Sequence, residues 1–159
     1  MITLPRLIEE DMQQLDEALR ELLKQTEATT TLIIDKGGFL ITHHGEASQF
    51  DLTTIAALAS GAYMANQTIA NLVHENNFNS VYQQGEVFSM FVVNVDEHCL
   101  LVVIFRAQLS VGAIKYFAAP AAVRIAKQLK KAQERDPSAG YDLSVLNMAN
   151  SENLFRQKE

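Results

Sequence analysis

The sequence predicts an α+β fold in which helices pack on an antiparallel sheet, with elements in the order α-β-β-α-β-β-β-α. Three observations predict it. Helical periodicity recurs near the start, in the middle and towards the end of the chain. Between these segments, β-branched and aliphatic stretches are broken by hairpin signals at Lys36-Gly37-Gly38 and Gly85-Glu86. One stretch, residues 98–105, is apolar throughout, and such a strand belongs at the centre of a sheet covered on both faces.

The first helix is expected over residues 8–25, with Leu7, Met12, Leu15, Leu19, Leu22 and Leu23 as its apolar stripe. Its acids (Glu9, Glu10, Asp11, Asp16, Glu17 and Glu21) read as a solvated face with an acidic first turn. Residues 29–35 form a strand, Lys36-Gly37-Gly38 turns the chain, and 39–43 return. A long helix then runs over 51–75, capped by Asp51 or Thr53, with Phe50 packing back on it. Strands follow over 80–84, 87–94 and 98–105, the last two joined by a turn at Asp96-Glu97. A third helix spans 110–134, with Val111, Ile114, Phe117, Ala121, Ile125 and Leu129 on its buried side. Pro120 lies inside this pattern and predicts a kink or a delayed helix start. Beyond 136–140 the chain becomes a tail with sparse apolar residues: Tyr141, Leu143, Leu146, Met148, Leu154 and Phe155.

The long middle helix carries two faces that both lack the character of a solvated surface. Ile55, Leu58, Ala62, Ala65, Ile69, Leu72 and Val73 recur at helical steps and read as the stripe that meets the core. A second row, Ala57, Gly61, Met64 and Thr68, lies about a third of a turn away and is small and uncharged. Such a row either admits a second backbone at close range or marks a helix buried on both sides.

Composition narrows the function classes. The 159 residues suffice for one domain with a sizeable core, and the hydrophobic content of 48% is that of a globular protein. A net charge of -6 argues against nucleic-acid binding through a basic surface. The single cysteine, Cys99, lies in an apolar run and reads as a core residue; no internal disulfide framework is available, which points to a reducing, cytosolic setting. The start of the chain lacks the pattern of a signal peptide, and no apolar run approaches the ~20 residues of a membrane helix.

The search for chemistry returns a binding module. His43 and His44 are adjacent on a strand and point to opposite faces, so they cannot share a metal; His74 and His98 stand apart, and no metal-binding spacing is present. Ser60-Gly61 lacks the flanking pattern of a nucleophile elbow, and the glycines at 37 and 38 lack phosphate-loop spacing. No catalytic residue, metal or cofactor is expected.

The element order, with four stretches, resembles the roadblock/dynein light chain family and its bacterial MglB branch. The stretches are 32–41 (Leu-Ile-Ile-Asp-Lys-Gly-Gly-Phe-Leu-Ile), 58–62 (Leu-Ala-Ser-Gly-Ala), 100–105 (Leu-Leu-Val-Val-Ile-Phe) and 109–112 (Leu-Ser-Val-Gly). The resemblance covers about residues 8–135 and sets a roadblock domain at 1–135 and a tail at 136–159. It implies a five-stranded antiparallel sheet with the long helix on one face and the terminal helices on the other. It implies a homodimer joined edge to edge through the third strand, here Phe78, Ser80, Val81 and Tyr82, with the middle helices side by side. It also implies a partner, a Ras-like small GTPase of the MglA type, bound on the middle helices through Ala57, Ser60, Gly61, Met64 and Thr68. In that family the regulator stimulates GTP hydrolysis by ordering the GTPase's own arginine and glutamine, in bacterial polarity or motility. Asn153-Leu154-Phe155 resembles the ending of MglB chains, so Leu154 and Phe155 are further expected partner contacts. Met64 and Thr68 are bulkier than the very small residues the family tends to place on this face. An adaptor that leaves hydrolysis unchanged, or a small-ligand sensor domain, are the alternative readings.

Overall fold

A computed structural model describes residues 4–135. The elements are α1 (Glu9–Thr26), β1 (Thr30–Asp35), β2 (Leu40–Gly45), α2 (Leu52–Leu72), β3 (Ser80–Gln83), β4 (Phe88–Asn94), β5 (Cys99–Arg106) and α3 (Val111–Glu134). The five strands form one antiparallel sheet of order β2-β1-β5-β4-β3. This is the expected α+β architecture, with α1 and α3 on one face and α2 on the other.

The sheet is organised around β5. Its side chains alternate between two cores, because successive strand residues point to opposite faces. Cys99, Leu101, Val103 and Phe105 pack with Leu15, Leu19 and Leu22 of α1 and Ile114, Ala118, Ile125 and Leu129 of α3. Leu100, Val102 and Ile104 pack with Leu52, Ala56, Ala59 and Tyr63 of α2. All seven are buried, in line with the unbroken apolar run in the sequence.

Hairpins join the strands largely where glycine and turn residues predict. Gly38 takes a left-handed φ of 98° between β1 and β2, a backbone conformation that costs other residues energy. A register shift between Ile33 and Ile34 makes the first hairpin irregular and carries β2 on to Gly45, beyond the 39–43 read from sequence. It also sets Thr42 and His44 against Asp16 of α1. In the β4–β5 turn the Asp96 Oδ1 atom accepts from the amides of His98 and Cys99, each at 2.8 Å. Asp51 caps α2 by accepting from the Thr54 amide at 3.1 Å. At the other end His74 stands in the left-handed region, with Glu75 N bonded to Ala70 O at 2.9 Å and His74 N to Asn71 O at 3.2 Å.

Helix α3 starts at Val111 and runs through Pro120, so the start is not delayed; the proline sits on the exposed side. Two expectations are corrected. The side of α2 that meets the sheet is Leu52, Ala56, Ala59, Tyr63 and Ala70; of the row from Ile55 to Val73, Ile55 packs partly against this core, while Leu58, Ala65, Ile69, Leu72 and Val73 are exposed. Asp11 is not solvated but fully buried. Its carboxylate accepts from Ile8 N at 2.9 Å, Gln128 Nε2 at 2.7 Å, and Arg135 Nη1 and Nη2 at 2.6 and 3.0 Å. It thereby ties the start of α1 to the end of α3.

Burial by itself would raise the Asp11 pKa, but hydrogen bonds from Arg135, Ile8 and Gln128, with the Arg135 charge, hold it below the ordinary carboxylate value. A depressed folded-state pKa stabilises the fold above the ordinary carboxylate pKa, and that stabilisation is lost as pH falls through the folded-state value. Asp11→Ala is expected to cost about 3 kcal/mol in urea unfolding at neutral pH. Asp11→Asn is expected to flatten the acid limb of the stability–pH curve.

Candidate functional site

The outer surface of α2 is the candidate site. This helix has 21 residues and not one Asp, Glu, Lys or Arg, yet half of it faces away from the sheet. Its inner side carries Ala56, Ala59 and Ala70, with Ser60 beside them, together with the larger Leu52 and Tyr63.

Ala57, Gly61, Met64 and Thr68 are all exposed and share one side of α2. An ideal Cβ built on Gly61 meets nothing within 4 Å, so this position is open. Met64 is 51% exposed at the middle of the row. Ser60 stands apart from its neighbours. It is buried, and its hydroxyl donates to the Lys36 carbonyl, pinning the β1–β2 hairpin to α2. Ser60 therefore positions the helix and is not part of the exposed row. The hairpin presses against the row's first residue, since a Cβ on Gly38 would lie 3.2 Å from the Ala57 Cα.

Beside this row runs an apolar strip that sequence reading assigned to the core. Leu58 is 69% exposed and Leu72 is 75% exposed; Ala65, Ile69 and Val73 are exposed as well. The misassignment has a physical origin. A helix without charges has no polar face to mark the solvent side, and the row of Leu52, Ala56, Ala59 and Tyr63 has equally good helical spacing. The smaller side chains on that row were the available signal, because they let a helix approach a sheet closely.

Strand β3 lies at the sheet edge and, among the described residues, pairs only with β4. Ser80 and Val81 are half-buried, while Tyr82 is at the boundary of exposure and stacks on Phe105 at 6.2 Å between ring centroids. Phe78 is half-buried, and its carbonyl accepts from Gln67 Nε2 of α2 at 2.9 Å. This bond ties the C-terminal part of α2 to the segment that leads into β3. Leu154 and Phe155 lie outside the described residues.

The remaining chemical groups have structural settings. Cys99 is buried, and burial pushes its thiol pKa far up, leaving it protonated and inert. Burial lowers the pKa of the Lys36 ammonium, against the raising effect of nearby Asp96. Its Nζ donates to the Asp96 carbonyl at 2.6 Å and lies 5.6 Å from the Tyr63 ring centre. His43 and His44 pair with Leu32 and Thr31, neighbours on opposite faces of β1. Among the described residues no group of three or more His, Cys, Asp or Glu is placed to hold a metal ion. A groove of about 310 Å³ between α2 and the β3–β4 hairpin is mainly apolar, lined by Phe50, Ile55, Phe88, Met90 and Ile104 with a few polar neighbours.

Residues 14–105 match the Roadblock/LC7 domain. The chain belongs to the roadblock/LC7 family. Among solved structures, one described as MglB with a tetrameric arrangement is 30% identical, with 83% of this chain and 99% of that chain covered and a TM-score of 0.76. The gliding protein MglB from Thermus thermophilus is 28% identical, covering 82% and 99%, with a TM-score of 0.76. Myxococcus xanthus MglB is 26% identical, covering 81% and 97%, with a TM-score of 0.75. No curated protein sequence matches. The family assignment and the MglB likeness agree with the resemblance read from the sequence.

The glycine within the row and the glycine packed against its first residue respond in opposite directions. Gly61→Ala replaces an exposed mid-helix glycine with the best helix former and is expected to stabilise the protein by about 1 kcal/mol in urea unfolding. Gly38→Ala is expected to destabilise it by about 1 kcal/mol or more, because its φ is positive and its Cβ presses on Ala57.

Proposed function

We propose that this chain is a homodimeric regulator that binds a Ras-like small GTPase of the MglA type and accelerates its GTP hydrolysis. The observation that carries the reading is the outer face of α2: uncharged, small at Ala57 and Gly61, and open to solvent. A flat neutral row of this kind suits the close approach of a folded partner more than the capture of a small ligand. The two protomers join through the β3 edges, since an unpaired strand edge is a template for a second copy, and a two-fold contact closes on itself. This places two α2 helices side by side as one platform.

The regulator contributes no catalytic side chain in this reading. It holds the switch regions so that the GTPase's own arginine and glutamine reach the transition state. Arginine stabilisation of phosphoryl transfer is worth roughly 10³–10⁵ in rate, wherever the arginine comes from. Arg106 and Arg124 are engaged elsewhere: Arg106 lies over the Phe88 ring, and Arg124 bridges Glu17 and Glu21. No helix among the described residues is long and apolar enough to cross a membrane, and the proposed setting is cytoplasmic, in polarity or motility.

Met64 supports a second reading, an adaptor that binds its partner without changing turnover. A flexible thioether, half exposed in the middle of the row, suits an adaptable surface.

GTP turnover by the cognate MglA-like GTPase, with and without this protein, separates the readings. Acceleration is expected, and it is expected to vanish in Gly61→Arg while the dimer persists in size-exclusion chromatography. Binding with unchanged turnover would establish the adaptor reading and remove the activator claim.

A further inference from the structure

The apolar strip of α2 is the same read from either end. Its members are Ile55, Leu58, Ala62, Ala65, Ile69 and Leu72, and each has a counterpart equally far from the midpoint between Tyr63 and Met64. Ile55 matches Leu72, Leu58 matches Ile69, and Ala62 matches Ala65. Large side chains therefore stand at both ends of the strip and small ones at its centre. Leu58, Ile69 and Leu72 project into solvent, and no charge interrupts the helix. A stripe that serves only a core has to match the strands beneath it, not its own reverse.

The groove of about 310 Å³ lies beside one end of this strip. Phe50 and Ile55 line it next to α2, Phe88, Met90 and Ile104 line it on the sheet, and Gln83 marks the end of β3 there. Helix α2 runs opposite to β3. Its start shares the groove with Gln83, whereas Gln67, near its end, bonds the Phe78 carbonyl ahead of β3.

We infer that strip and groove together take a second copy of this chain, with the two α2 helices antiparallel in a single register. In that register Ile55 meets the second copy's Leu72, Leu58 meets its Ile69, and Ala62 meets its Ala65. This register presupposes the homodimer proposed above and adds to it the pairing of side chains. A two-fold axis turns one helix end for end against the other, so the strip has to complement its own reverse. Paired alanines at the centre let the helix axes approach to about 8 Å. The large pairs fill the space that opens towards the helix ends as the joined sheet twists. The axis that pairs two β3 edges exchanges the Ser80 and Gln83 ends of the strand. It therefore carries the second copy's Leu72 and Val73, both exposed, to the groove of the first, and the reverse. A slip of one helical turn would set Leu58 against Ala65 and Leu72 against the Asp51 cap. With no charge on α2, shape alone fixes the register.

Cysteine pairing in the full chain tests the register, since the native Cys99 is buried and does not react. Chains carrying Leu58→Cys are mixed with chains carrying Ile69→Cys, left to exchange, and oxidised. A covalent dimer with one copy of each is expected. Neither variant alone is expected to link, because its two thiols lie about 16 Å apart along the helices. In sedimentation, Leu72→Asp is expected to weaken the dimer about tenfold or more with the circular dichroism unchanged, and Leu72→Met to leave the dimer as it is. Failure of the mixed pair to link, or linkage of Leu58→Cys to itself, overturns this register and leaves the homodimer standing. An undiminished dimer in Leu72→Asp overturns the filling of the groove. A wild-type chain that sediments as a monomer overturns both the register and the homodimer. The experiment contains no GTPase, so its outcome is independent of whether the proposed GTPase function holds.

Discussion

The constraint on which the fold depends is the double burial of β5. A central strand covered on both faces cannot shed its side chains to solvent on either side, so both helical layers must be in place before it is stable. Leu101 and Phe105 need α1 and α3, while Leu100 and Ile104 need α2 and its flanking residues. Truncating a fully buried side chain of this kind costs roughly 2–5 kcal/mol, a large share of a domain's total stability. The free surfaces follow from the same arrangement. With β5 in the middle, β2 and β3 become edges, and the outer side of every helix is left for contacts beyond the domain.

The position of α2 follows from residue size. Ala56, Ala59 and Ala70 let the helix settle on β1 and β5, and the larger Tyr63 fills the space beside Lys36. Large residues displaced from this seam, Leu58, Ile69 and Leu72, therefore point outward. An outward leucine on an isolated domain loses the roughly 1.5–3 kcal/mol that burial would give it, so a strip of them is a surface that awaits a cover. In the proposed dimer that cover is the neighbouring α2, which leaves the smaller row from Ala57 to Thr68 as the side open to a GTPase.

Much of this was legible in the sequence because the signals were local. Glycines marked two of the hairpins and Asp96-Glu97 the third, an unbroken apolar run marked the central strand, and Asp51 marked the start of α2. Orientation was harder, since it depends on what lies opposite. The two rows of α2 have the same period, and only the strands beneath them decide which is inside. Asp11 was misread for a related reason: its partners Gln128 and Arg135 are more than a hundred residues away, and no local pattern announces a carboxylate that long-range donors will bury. Ser60 is the same case at shorter range. Its acceptor is the Lys36 carbonyl across the layer, and its place beside Gly61 in the sequence conceals that it faces inward.

A platform that works by placing another protein's catalytic groups has to be rigid, because an error of about 1 Å in such a group can cost about a hundredfold in rate. The outer row of α2 is held at several points. Asp51 fixes the first turn, and Ser60 ties the middle to the β1–β2 hairpin, which itself touches Ala57 through Gly38. The hairpin is tied onward by Lys36, whose amide bonds the His98 carbonyl at 2.7 Å and whose Nζ bonds the Asp96 carbonyl at 2.6 Å. The C-terminal end is closed by the paired bonds around His74, and Gln67 anchors it to the start of β3. The ties through Ser60 and Gln67 lead from α2 to the strands, and those at Asp51 and His74 close the helix ends. In the proposed complex, a surface fixed in this way would lose little conformational entropy when the GTPase lands, leaving more of the contact energy to order its switch segments.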